Sequence, residues 1–268
     1  MKGAIIGDII GSAFVKDSRS TTDFQLFKPI SSFTEDTVLT LATGDAVVNK
    51  QDFRNSLRIW VKKYPYAGFE AKYKEWILSD SDKPFDSKCD GSARRVSSIG
   101  MIAKNLDQAL EITERTSKVT HSSIEKINAS KAVSAAIYLA KTGENKSFIK
   151  DYIQKEFGYN LSKTIEELQE EVVSKDLQTP VPAAISVFLK SNNFEDAIRK
   201  AVSLGGPSNT IGSITGSIAY AYYKHIPKSI VKRALNRLTP EMVRFIDEFE
   251  SEFLHKKVGN KEILISIH

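Results

Sequence analysis

Glycine recurs at every fourth position near the start of the chain, at Gly3, Gly7 and Gly11 of MKGAIIGDIIGSAFV. Gly212 and Gly216 repeat the spacing, with Ser213 and Ser217 beside them. Residues four apart share one face of an α-helix, and each glycine inside a helix costs about 1 kcal/mol relative to alanine. Such a stripe needs a compensating use. Either another helix packs close against bare backbone, or a ligand reaches it. For the first helix, packing in the core is the expected use.

Helical periodicity runs through the rest. In ASKAVSAAIYLAK, Ala129, Ala132, Val133, Ala136, Ile137 and Ala140 fall on a single apolar stripe. FEDAIRKAVSLGG repeats the pattern with Phe194, Ala197, Ile198 and Ala201, and ends on Gly205, which tolerates the positive φ of a helix end. TVLTLATGDAVV, NSLRIWVKKY and MIAKNLDQALEITERT also read as helices. Alternation typical of strands is nearly absent, and only the tail KEILISIH hints at one. Pro180 and Pro182 mark a loop before a helix. LTPEMVRFIDEFESEFL reads as an amphipathic helix capped by Thr239, with Pro240 at its first position. No repeat or low-complexity linker divides the 268 residues, so the expectation is one all-α domain over 1–268.

Composition narrows the class. Hydrophobic residues at 41% and charged residues at 26% describe a soluble globular chain. Asp8 interrupts the first apolar run and no small-residue cleavage site follows, so this run reads as a buried helix rather than a leader. No segment approaches the ~18 apolar residues of a membrane span. The single cysteine, Cys89, cannot form an internal disulfide and points to a reducing compartment, with the cytoplasm as the expected location. The formal net charge is +5, but the lysines are interleaved with acids, as solvated helix faces require; nucleic acid is not an expected partner.

Four stretches carry candidate chemistry. Thr34, Glu35, Asp36 and Thr37 open a helix. Their oxygens suit helix capping, and consecutive oxygen ligands at a helix start also suit Mg²⁺ or Mn²⁺. In CDGSARRVSSIG, the turn Asp90-Gly91-Ser92 precedes a helix with Arg94 and Arg95 in its first turns, which makes either an ordinary capped helix or a phosphate cradle. His121 in VTHSSIEK is a structural hydrogen bonder or a functional imidazole. SLGGPSNTIGSITGS presents bare backbone N–H groups to something negative, although no carboxylate lies within it.

Taken in order, GAIIGDIIGS, FTEDTVLTLA, DGSARRVSSIG, the Thr120-His121 pair and GGPSNTIGSITGSIAYAYY resemble the ADP-ribosylglycohydrolase family, over about residues 1–225. The resemblance implies an orthogonal helical bundle, a cleft for ADP-ribose with two Mg²⁺ ions, and cleavage at ribose C1″. It also exposes departures. The family's Thr-Asp-Asp-Thr is here Thr34-Glu35-Asp36-Thr37, and its Gly-Gly-Asp-Ser-Asp-Thr is Gly205-Gly206-Pro207-Ser208-Asn209-Thr210. The block Gly-Asn-Gly-Ser-Ala-Met-Arg runs from Cys89 to Arg95, with Asp90 for Asn and Arg94 for Met. A glutamate that bacterial relatives carry after the first aromatic residue is Val15 here, following Phe14.

Two carboxylates remain of the four that the motifs supply. Mg²⁺ prefers anionic oxygens, and two dications with so little negative charge repel each other, so metal binding is expected to be weak or absent and no cofactor is expected. By the resemblance, Asp90, Gly91, Ser92, Arg95, His121, Gly205, Gly206, Ser208, Asn209 and Thr210 would hold the ligand. Any residual Mg²⁺ would rest on Thr34, Glu35, Asp36 and Thr210, with Glu35 and Asp36 as the catalytic acids. The expected function is a catalytically degenerate family member that binds and sequesters ADP-ribose or a related NAD-derived nucleotide, cyclic forms included. The alternatives are an active Mg²⁺-dependent hydrolase with an altered metal site, and an interaction protein with a vestigial cleft.

Overall fold

A computed structural model describes residues 1–16, 21–79, 81, 83–174, 179–253, 257–258 and 261–262. Among these the chain forms α1 (Lys2–Ser12), α2 (Glu35–Val48), α3 (Phe53–Lys63), α4 (Ala71–Leu78), α5 (Ser97–Ile102), α6 (Leu106–Lys118) and α7 (Ile124–Thr142). It continues through α8 (Lys146–Phe157), α9 (Ile165–Ser174), α10 (Pro180–Leu189), α11 (Phe194–Ser203), α12 (Ser208–Tyr223), α13 (Lys228–Leu235) and α14 (Pro240–Phe253). A 3₁₀ turn, Ala93–Arg95, precedes α5. The tail adds two antiparallel two-residue strands, Lys257–Val258 and Lys261–Glu262. The second is the start of the strand expected in KEILISIH; 263–268 lie outside the described residues.

The two glycine stripes face each other. A Cβ on Gly3 would stand 2.2 Å from the Gly216 carbonyl oxygen, one on Gly7 1.9 Å from that of Gly212, and one on Gly11 2.3 Å from that of Ser208. α1 and α12 therefore pack backbone to backbone, and residues 3–11 of α1 are buried throughout. The expected core stripes are also inside: all six stripe positions of α7 and all four of α11 are buried. Gly205 and Gly206 follow α11 with φ of +77° and +58°, which reverses the chain into α12. Thr239 accepts from Met242 N at 3.4 Å at the start of α14, as expected, and α14 packs on α2.

Two expectations change. MIAKNLDQALEITERT is not one helix. It breaks between α5 and α6, where the Asn105 side chain accepts from Gln108 N at 2.8 Å and starts a new helix. Pro180 and Pro182 lie inside the first turn of α10 rather than in the loop, because the N–H groups missing there have no helical partner to lose. No helix among the described residues is long and apolar enough to cross a membrane.

Gly7→Ala should lower unfolding free energy by about 1–3 kcal/mol, the scale of forced overpacking, despite alanine's better helix propensity. Gly44→Ala is the control, since its nearest neighbour is the flexible Met1 Cε at 2.7 Å. Urea titration of the two variants should separate them clearly.

Candidate functional site

The start of α2 is held by a residue from another helix. Asp8, fully buried in α1, accepts from Thr34 Oγ1 at 2.6 Å, Thr34 N at 2.9 Å, Thr37 N at 3.2 Å and Thr37 Oγ1 at 2.6 Å. Thr34 is also the N-cap, its hydroxyl accepting from Asp36 N at 3.2 Å. Burial, then the nearby Asp36 charge, push the Asp8 carboxyl up to about 7 against the pull of these hydrogen bonds. In the sequence Asp8 is only an interruption of an apolar run. An acid inside a helix buried all round was the signal of its role.

Glu35 and Asp36, in the first turn of α2, meet Arg94. One guanidinium nitrogen, Nη1, contacts Asp36 Oδ1 and lies 3.3 Å from Glu35 Oε1. Burial works against the guanidinium charge, but the two carboxylates outweigh it, so Arg94 holds its proton more firmly than a free arginine. Glu35 is pushed up to about 7, chiefly by burial, with Arg94 opposing. Arg94 was absent from the ligand-binding residues expected from the sequence. The departure of position 94 from the family's methionine was the sign that its environment had changed.

The bare N-terminus of α12 receives its negative charge from α2. Asp36 Oδ2 accepts from Thr210 Oγ1 at 3.2 Å and from Asn209 Nδ2 at 3.4 Å. The same amide lies 3.4 Å from Thr34 Oγ1. Ser208 is turned the other way and donates to the Gly11 carbonyl at 2.9 Å, sealing the α1–α12 seam.

The divalent ions implied by the resemblance do not fit these residues. Both oxygens of Asp36 are engaged, Glu35 shares Arg94, Pro207 carries no ligand atom, and Asn209 turns a donor toward the acids. No cluster of three or more His, Cys, Asp or Glu among the described residues could hold a metal ion.

A cleft of about 330 Å³ opens beside this corner. Phe69, Tyr73 and Phe85 make one wall, with Phe69 and Tyr73 stacked at 5.8 Å and Phe85 edge-on to Tyr73 at 5.4 Å. Of the residues expected to bind a ligand, Gly91, Arg95, His121, Asn209 and Thr210 line the cleft, together with Glu35 and Arg94. Asp90, Ser92, Gly205, Gly206 and Ser208 do not appear in its lining. Asp90 faces Lys126 Nζ at 3.3 Å, and Ser92 is fully buried and accepts from Ser130 Oγ at 2.7 Å.

His121 is a wall brace. Nε2 lies 3.0 Å from the Cys89 carbonyl, which only accepts, so Nε2 carries the proton and Nδ1 accepts from the Thr120 hydroxyl at 2.7 Å. Burial, then the charge of Arg95, lower its pKa to about 4 and keep the ring neutral. Arg95 is buried and sends Nη2 to the Thr116 carbonyl at 2.8 Å and Thr120 Oγ1 at 2.9 Å. Its Nε, like the Tyr73 hydroxyl, is buried without a hydrogen-bond partner among the described residues.

Asp8 and Glu35 generate a pH dependence. Their folded pKa values, about 7, exceed the ordinary values of 3.8 and 4.5. Between these limits the folded chain holds protons that the unfolded chain has released, so stability falls as pH rises through that window. Urea titrations should give a lower unfolding free energy at pH 8 than near pH 5, and Asp8→Asn should flatten the slope while lowering stability at both.

The fold has counterparts among known proteins. A solved chain described as an ADP-ribosylglycohydrolase-related protein complex superposes with a TM-score of 0.67 at 18% identity, over 92% of this chain and 94% of that one. The ADP-ribosylhydrolase ARH3 of Xenopus tropicalis is 22% identical, with 82% of this chain and 85% of that protein covered. The model of the ADP-ribosylglycohydrolase family matches residues 1–260. On that match across nearly the whole chain, this helical protein belongs to the ADP-ribosylglycohydrolase family.

Proposed function

We propose that this family member binds an ADP-ribose-type nucleotide without hydrolysing it efficiently, and so withdraws the nucleotide from solution. The observation that carries the reading is that two residues lining the cleft, Arg95 and Tyr73, each keep a buried polar atom, Nε and the hydroxyl, without a hydrogen-bond partner among the described residues. A buried donor left without a partner costs about 1–3 kcal/mol. A wall that opens around an oxygen-rich ligand, uncovering either atom to it, relieves that cost. Burial also pushes the Tyr73 phenol up to about 12, so it remains a neutral donor at ordinary pH. The aromatic wall beside it offers a flat apolar face for a base or ribose. Arg94 and Arg95 both line the cleft, and Arg94, while paired with Glu35 and Asp36 through Nη1, leaves Nη2 toward Cys89 as a donor for a phosphate oxygen.

The loss of hydrolysis follows from the other residues. Metal-assisted hydrolysis needs a Lewis acid and an activated water, and Pro207 and Asn209 stand where the family motif carries acids. A general base alone contributes only about 10²–10⁴-fold, and Glu35 is shared with Arg94. The names of the matched proteins carry ADP-ribose chemistry, which supports the choice of ligand class. Cyclic forms of ADP-ribose belong to the same class, and the lone cysteine, Cys89, is the basis for placing the activity in the cytoplasm.

Calorimetry against ADP-ribose and its cyclic isomers should show saturable binding that EDTA leaves unchanged, with Tyr73→Phe weakening it by roughly 2- to 10-fold. ADP-ribosylated protein incubated with Mg²⁺ or Mn²⁺ should not turn over at ordinary enzyme rates. Either such turnover, or no binding to any of these nucleotides at millimolar concentration, overturns the reading.

A further inference from the structure

Asp36 is fully buried, and a buried carboxylate needs a counter-charge. Here the counter-charge belongs to the chain itself. Nη1 of Arg94 bridges Asp36 and Glu35, and the Arg94 side chain is only 13% exposed. A guanidinium does not lose its proton in a protein, so this charge is permanent. Its placement is fixed twice: the Arg94 side chain grips the first turn of α2, and the Arg94 carbonyl accepts from Thr40 Oγ1, one turn further along α2, at 3.2 Å. On its far side Asp36 is closed by Thr210 and Asn209.

We infer that Arg94 is the resident cation of this site, a built-in substitute for the divalent ions the family resemblance implies, and that it closes the Glu35–Asp36 pair to Mg²⁺ and Mn²⁺. A second consequence lies on the cleft side. The hydrogen bonds to the acids come from Nη1; Nη2 sits 3.9 Å from Cys89 Sγ and 3.4 Å from where a Cβ on Gly91 would be. The guanidinium thus neutralises acids with one nitrogen and offers another to the cleft. This inference stands whether or not a nucleotide is the ligand, because it concerns only the chain's own charges.

The test uses Mn²⁺ alone, read by the loss of its free electron paramagnetic resonance signal. Wild type and Arg94→Lys, which keeps the charge, should leave the signal as a protein-free control does. Arg94→Met should take up Mn²⁺ with affinity raised about 10- to 100-fold, the range over which groups beside a metal tune it. Adding Asp36→Asn to that variant should abolish the gain. A folded Arg94→Met with no gain, or wild type binding Mn²⁺ as tightly as the variant, overturns the inference. If Arg94→Met does not fold, the wild type still decides: its melting temperature should be the same in EDTA and in excess Mn²⁺, and an upward shift with Mn²⁺ overturns it.

Discussion

Buried negative charge is the constraint around which the cleft end of this molecule is arranged. Asp8 and Asp36 are fully buried and Glu35 is largely so. Their partners come from separate segments: Thr34 and Thr37 answer Asp8, Arg94 answers Glu35 and Asp36, and Thr210 closes the remaining face of Asp36. Removing one partner from a buried charged pair costs about 3–5 kcal/mol. These contacts therefore make α1, α2, the 3₁₀ turn and α12 depend on one another, because breaking any of them strands a buried carboxylate.

The same arrangement separates fold from chemistry. The α1–α12 seam, the α7 stripe and the α11 stripe are made of small and apolar residues, and none of those residues is an acid. The scaffold can thus persist while four positions at the cleft change character: Glu35, Arg94, Pro207 and Asn209. A TM-score of 0.67 at 18% identity is what such a division produces, since it registers the path of the backbone and not the charges placed on it.

Much of this was legible from the chain, and the boundary of legibility is physical. Helices with one apolar stripe, such as α7 and α11, announce themselves because a 3.6-residue period has one buried face. The packing use of the α1 glycine stripe was legible too; the spacing of the α12 stripe alone admits either packing or a ligand, and which helix met which was not legible. What escaped depended on contacts distant in sequence. Asp8 reaches Thr34, 26 residues away, and although an acid in an apolar helix signals a buried role, nothing local names its partner. Arg94 and Arg95 are neighbours that diverge: Arg94 turns to α2 and Arg95 to the carbonyl end of α6. Ser92 and Ser208 looked like cleft residues because small hydroxyls bind phosphates, yet both are spent on internal hydrogen bonds. The break at Asn105 was missed because the apolar period continues across it.

The seam between the first helix and α12 also sets an order of events during synthesis. Ser208 meets Gly11 across 197 residues of chain, and Ile5, Ile6, Ile9 and Ile10 are all buried in the finished molecule. Contacts so distant form late, since the intervening loop must be closed first. As the polypeptide leaves the ribosome, Ser208 follows Gly11 only after 197 residues. Through that interval α1 lacks the helix its glycine stripe packs on, and a nascent chain in that condition is a natural client for chaperones.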